Sequence, residues 1–167
     1  MSEQKFENWP AVLAELSEGR DLDSKTAEAA LMSVLRGEAT DAQLAAFVVA
    51  LRQKGETVDE LSGLVCAMRF ACIPINCSPE TIDLVGAGGS QMGRKAALNV
   101  STIASFVAAG AGAKVCKHGN RKASSTSGSF DLLEELSIAA ELTPEQVSRC
   151  VEEVGVGFAY ARSFHPA

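Results

Sequence analysis

The run Ile82-Asp83-Leu84-Val85 leads straight into Gly86-Ala87-Gly88-Gly89, and Asn99-Val100-Ser101-Thr102 then opens an apolar helical stretch. A buried-type strand that ends on glycines and gives way to a helix needs a parallel neighbour, because parallel strands are joined through crossover helices. That order constrains the fold more than any other feature. Ala113 to Cys116 reads as a second short strand and Gly157-Phe158-Ala159-Tyr160 as a third. Between them lie a helix from Ser129 with Leu132, Leu133 and Leu136 inside, and another opened by Thr143-Pro144-Glu145-Gln146. The helix between the first two strands presents Ile103, Phe106 and Val107 on one face. The expectation is an α/β unit with a partial parallel sheet and helical crossovers. So small a sheet leaves open edges, so this unit, residues 76–167, is expected to be the N-terminal portion of a larger domain. The alternative is a small sheet closed by helices or by a partner chain.

The preceding stretch has a different period. Val12, Leu13 and Leu16 follow Pro10, and Ala27, Leu31, Val34 and Leu35 stop at Gly37. Thr40 and Gln43 make a capping box, and Leu44, Phe47, Val48 and Leu51 follow on one apolar stripe. Gly55 ends that helix; Thr57 and Glu60 repeat the box before Leu61, Leu64, Val65 and Met68. Residues 1–75 are therefore expected to form an all-α domain, its helices ending near residue 72, with Pro74 and Cys77-Ser78-Pro79 in the linker after the last helix.

Composition excludes several function classes. The net charge of −6 argues against nucleic acid as a partner. No apolar run reaches membrane-spanning length, and the N-terminus lacks a secretion signal, so the expected location is the cytoplasm. Five scattered cysteines, none in a Cys-x-x-Cys pair, with two histidines, make a zinc site improbable and suit a reducing compartment.

The glycine stretch is a near miss to two phosphate-binding patterns. Gln91 stands where a dinucleotide fingerprint needs its third glycine, and after Gly88 and Gly93 the run Arg94-Lys95-Ala96 replaces the Lys-Ser/Thr ending of a P-loop. A plain strand-to-helix turn is the simpler alternative. Against it stand Asn99, Ser101 and Thr102 at the helix start, where unpaired N–H groups and the helix dipole attract anions and one cap alone would suffice. A second loop repeats the logic: Lys117, Asn120 and Arg121, then Ser124, Ser125, Ser127, Gly128 and Ser129 before a helix. Two such loops at the carboxyl ends of parallel strands point to a phosphate-rich ligand.

Lys117-His118-Gly119-Asn120-Arg121, followed by Ser-Ser-x-Ser-Gly-Ser-x-Asp, resembles the signature of the anthranilate phosphoribosyltransferase family. The glycine stretch, Asn99-Val100-Ser101-Thr102, Gly37 to Gln43 and Ala50 to Thr57 are similar to the same family, and the resemblance runs over residues 9–167. It implies transfer of phosphoribosyl from phosphoribosyl pyrophosphate to the amine of anthranilate, with release of pyrophosphate, in tryptophan biosynthesis. It also implies Mg2+ as cofactor and a homodimer formed through the helical domain. By this resemblance Gly86, Gly88, Gly89 and Asn99 cradle the pyrophosphate end, Ser101 contacts magnesium, and Thr102, Lys117 and Ser129 meet phosphate oxygens. His118, Asn120 and His165 line the anthranilate side. Lys117 and Asn120 are positioning residues, and no residue is assigned as a chemical catalyst.

The match departs from the family where its loop usually reads Gly-Thr-Gly-Gly-Asp-Gly. Ala87 and Ser90 replace the threonine and aspartate, Arg94 and Lys95 lie in an insertion, and Phe130 replaces a small residue. The family's chains run to roughly twice this length, and the acidic pair for magnesium and an arginine for the anthranilate carboxylate belong to the other half. Two other readings stay open: a non-catalytic binding or dimerisation module, and a transferase for another aminobenzoate.

Overall fold

The computed structural model describes residues 6, 8–85, 99–121, 128–139 and 141–165. The chain divides into two compact units, one running to Cys72 and one from Ile73 onward.

The first unit is helical: α1 (Trp9–Ser17), α2 (Ser24–Leu35), α3 (Asp41–Lys54) and α4 (Val58–Ala71). Each of the last three begins on a side-chain cap. Asp23 accepts from Thr26 N–H, and the Thr40/Gln43 and Thr57/Glu60 boxes both form. Gly37 and Gly55, just past α2 and α3, take positive φ, a backbone region in which other residues are strained. The core comprises Trp9, Val12, Leu16, Leu22, Ala27, Ala30, Phe47 and Leu51, with Trp9 edge-on to Phe47 at 5.6 Å.

The expected stripes on α3 and α4 need correcting. Phe47 and Leu51 are buried, but Leu44, Val48, Leu61, Val65 and Met68 are exposed. What α4 buries is Glu60, Gly63 and Ala67, and α2 meets it with Ala27, Ala30 and Ser33. A Cβ at Gly63 would overlap the Ser24 carbonyl oxygen and stand 3.0 Å from Glu28 N. Small residues let the two backbones approach closely, so the helical period was legible but the buried face was chosen by size rather than by hydrophobicity.

Glu60 does more than cap. One carboxylate oxygen accepts from Leu22 N–H at 2.9 Å, and the other accepts from Lys54 Nζ at 2.9 Å. Lys54 also reaches Asp21 at 2.8 Å. Burial pushes the Glu60 carboxyl up, but hydrogen bonds from Leu22 N–H, Thr57 N–H and Lys54 outweigh it and hold the group below its ordinary range.

The second unit runs α5 (Val100–Gly110), β1 (Val115–Gly119), α6 (Ser129–Glu135), α7 (Pro144–Val154), β2 (Val156–Tyr160) and α8 (Ala161–Phe164). It is a small parallel two-stranded sheet with helices, β1 pairing β2 from Val115↔Val156 to Gly119↔Tyr160. The expected first strand, Ile82 to Val85, is reduced to a single parallel bridge, Ile82↔Val115. Ile82 N–H donates to Lys114 O and Ile82 O accepts from Cys116 N–H, but beyond that point side chains replace the ladder.

The helix faces shift here too. Ile103, Val107 and Leu136 are exposed, while Thr102, Ser105, Phe130 and Leu133 are buried. Phe106 packs on Phe158, with ring centroids 5.3 Å apart. Gly157 lets α7 close on β2: a Cβ there would lie 2.7 Å from Val147 O.

Replacing Gly63 with alanine tests the α2–α4 contact. Overpacking at a backbone-to-backbone approach is expected to cost about 3 kcal/mol, read as a lower urea midpoint with helix content retained before the transition. An unchanged midpoint would show that the helices separate freely.

Candidate functional site

The site is built where strands end and helices begin. Asn99 precedes α5, and its backbone carbonyl accepts from Thr102 and Ile103 N–H. Its side chain makes no cap to α5; instead Nδ2 donates to Gly128 O at 3.1 Å. Gly128 is the residue before α6. One amide thus ties the N-terminus of α5 to that of α6, and Ser101 and Ser129, each within the first turn of its helix, lie in segments joined by this bond. At α6, Gly128 N–H donates to Asp131 Oδ2 at 2.6 Å.

The end of β1 reaches the same place. Phe130 N–H donates to Asn120 O at 3.3 Å. A Cβ at Gly119 would stand 3.0 Å from Ser129 Cβ and 3.1 Å from its Oγ. Glycine is what lets β1 pass so close to the start of α6. Phe130 is fully buried, packed on Tyr160 at 4.8 Å between centroids, so this departure from the usual small residue fills the core behind the turn.

Thr102 is also fully buried, and its Oγ1 has no hydrogen-bond partner among the described residues. A buried hydroxyl without a partner is costly in a folded protein and marks a place where a polar ligand atom fits.

Lys117 sits mid-strand on β1, 2% exposed, and its ammonium donates to Leu84 O at 2.6 Å. Burial lowers its pKa, and Asp83 opposes that shift. The cation therefore ties β1 to the chain just before the glycine stretch. Asp83 Oδ1 accepts from His118 N–H at 3.2 Å. Sequence reasoning read Asp83 only as part of a strand; the visible signal was a lone carboxylate inside an apolar run.

His118 and His165 come together at 5.5 Å between ring centroids, edge to face, although they are far apart in sequence. Register explains it: His118 pairs with Ala159 on β2, and His165 follows the short α8 that continues from β2. Burial lowers the His118 pKa first, followed by the charge of His165; Asp83 pulls the other way. Arg121 is engaged elsewhere, with Glu134 at 3.1 Å, Glu141 at 3.6 Å and the Tyr160 ring beneath it.

Gly86, Gly88, Gly89, Arg94 and Lys95 in the first loop, and Ser124, Ser125 and Ser127 in the second, lie outside the described residues. Among the described residues no group of three or more His, Cys, Asp or Glu side chains could hold a metal ion.

A family model described as "Glycosyl transferase family, a/b domain" matches residues 78–167, and one described as "Glycosyl transferase family, helical bundle domain" matches residues 10–72. Curated relatives include an anthranilate phosphoribosyltransferase of Arthrobacter sp. (strain FB24), 48% identical over 95% of this chain and 44% of that protein. Another, of Symbiobacterium thermophilum, is 51% identical over 93% of this chain and 45% of that protein. Among solved structures, anthranilate phosphoribosyltransferase (TrpD) from Thermus thermophilus aligns with a TM-score of 0.83 at 39% identity, over 93% of this chain and 46% of that one. The Saccharomyces cerevisiae enzyme in complex with PRPP and Mg aligns with a TM-score of 0.77 at 25% identity, over 95% of this chain and 48% of that one. The chain spans under half the length of these relatives.

The balance at His118 yields a prediction. An NMR titration should place the His118 imidazole below 6.5, its ordinary value. Asp83→Asn keeps an oxygen acceptor for His118 N–H but removes the charge that favours imidazolium, so the His118 pKa should fall further. A rise in the variant would show that Asp83 does not act on this ring.

Proposed function

Because the chain belongs to the glycosyl transferase family through both its helical-bundle and its a/b parts, we propose that it binds phosphoribosyl pyrophosphate for transfer of the phosphoribosyl group to anthranilate. The observation that carries the reading is the Asn99–Gly128 bond, which joins two helix starts rich in hydroxyl groups at the end of β1. The start of α5, the Thr102 hydroxyl, which has no partner among the described residues, and Ser129 offer donors to phosphate oxygens. With Gly86, Gly88, Gly89 and Asn99, they would hold pyrophosphate as negative charge develops on the leaving group. Lys117 and Asn120 position the strand end from which these donors project.

The acceptor side is proposed at the His118–His165 pair. Lowered basicity keeps His118 neutral near pH 7, so it presents a polar but uncharged edge to an aromatic amine. Anthranilate is a weak nucleophile, and holding its nitrogen against the anomeric carbon supplies much of the rate.

Magnesium is the cofactor of this reading, and when bound it neutralises diphosphate charge. Ser101 is the candidate ligand. The described residues add no acidic cluster to that hydroxyl, so they do not form a magnesium site by themselves, and no step is drawn through the metal. Five free thiols support a reducing compartment, the cytoplasm. Exposed Leu61, Val65 and Met68 recur along one side of α4 and support a homodimer through the helical unit. Sedimentation should give a dimer, and a monomer at all concentrations would remove that part.

Calorimetry with phosphoribosyl pyrophosphate and Mg2+ tests donor binding. Saturable heat is expected, weakened about tenfold, roughly 1.4 kcal/mol, by Thr102→Val. Absence of binding by the folded wild-type chain would sink the proposal. Loss of anthranilate fluorescence in the same mixture would report transfer.

A further inference from the structure

The cysteine pattern has a use that the transfer reading leaves untouched. Cys116 lies on β1 immediately before Lys117 and packs beside the Val147–Ala159–Phe164 cluster, which Ile75 also covers. Its backbone N–H donates to Ile82 O at 2.9 Å. Residues 75 and 82 thus both touch the surroundings of Cys116, and Asn76 O is held by the Ser148 hydroxyl at 2.5 Å. Cys77, between them, is a near neighbour of the Cys116 thiol. All five cysteines are free, and this pair is far apart in sequence but adjacent in the fold.

We propose that Cys77 and Cys116 form an oxidation site in which a peroxide converts the two thiols into a disulfide that clips the 75–82 segment to β1, beside the candidate donor site. In the first step the Cys77 sulfur attacks one peroxide oxygen, the O–O bond breaks, and with hydrogen peroxide the products are a sulfenic acid and water. In the second the Cys116 sulfur attacks the Cys77 sulfur, the S–O bond breaks and a second water leaves. Two thiols give up two electrons and two protons, and the peroxide takes both. Burial, then the Cys77 neighbour, push the Cys116 thiol up to about 12, which leaves Cys77 as the first nucleophile of the pair. A bond between these neighbours would close a loop of the unfolded chain and so stabilise the folded one.

The test uses the whole chain and does not depend on donor binding. After hydrogen peroxide treatment and non-reducing tryptic digestion, mass spectrometry should find peptide 70–94 joined to peptide 115–117. Fragmentation should place the link at Cys77 rather than Cys72, and dithiothreitol should release it. The link should persist in Cys72→Ser and vanish in Cys77→Ser. The oxidised protein should melt several degrees above the reduced one. Absence of this link in treated wild-type protein, its survival in Cys77→Ser, or a lowered Tm on oxidation would each overturn the proposal. Phosphoribosyl pyrophosphate binding by the reduced chain is scored separately, so the two readings fail independently.

Discussion

The hydrogen bond from Asn99 Nδ2 to Gly128 O holds together what the rest of the site needs. An asparagine at a helix start ordinarily spends its side chain on its own helix. Here it crosses to the start of another, which leaves the first-turn N–H groups of α5 without that cap. The exchange costs α5 a local cap and gives in return a tie between two helix starts. Gly119 completes the arrangement from the other side, since any side chain there would press on Ser129 and push α6 away from β1.

A second constraint lies beneath the first. Lys117 is almost wholly removed from solvent, and desolvating an ammonium is unfavourable unless strong acceptors meet it. Leu84 O does so at 2.6 Å, with the Asp83 charge nearby. The chain leading to the glycine stretch is therefore held to β1 by one bridge, one ammonium and one carboxylate rather than by a strand ladder. This explains why a sequence that reads as a strand folds as a single bridge: its polar groups pair with side chains of β1.

Much of this organisation was legible. The capping boxes at Thr40, Thr57 and Thr143 form as their spacing indicates, because a cap is a local bond between residues three apart. The parallel β1–β2 pair and the helical first unit followed from the change of hydrophobic period. The buried face of α4 was not legible, because it is set by close approach to α2, a property of two helices together, and that of α5 is set by the β1–β2 sheet it packs on. Gly63, Ala67 and Glu60 on α4, and Thr102 and Ser105 on α5, look like breaks in an apolar stripe until the neighbour is in place. The roles of Asp83 and Glu60 were hidden for a related reason: each carboxylate acts on a residue far away in sequence, His118 in one case and Leu22 in the other.

The charge pattern at β1 has a further consequence for ligand choice. Lys117 and His118 follow one another on β1 with Asp83 beside them, and burial lowers the pKa of both basic groups. A site meant only to attract anions would keep its cations in water, where they stay fully charged. The candidate site instead desolvates its lysine and steers it onto a backbone carbonyl. Under the proposed function such a surface would favour an anion that also presents many hydrogen-bond acceptors in fixed directions, as a sugar phosphate does. Under the proposed function geometry, more than net positive potential, would be the selective element in a chain whose overall charge is −6.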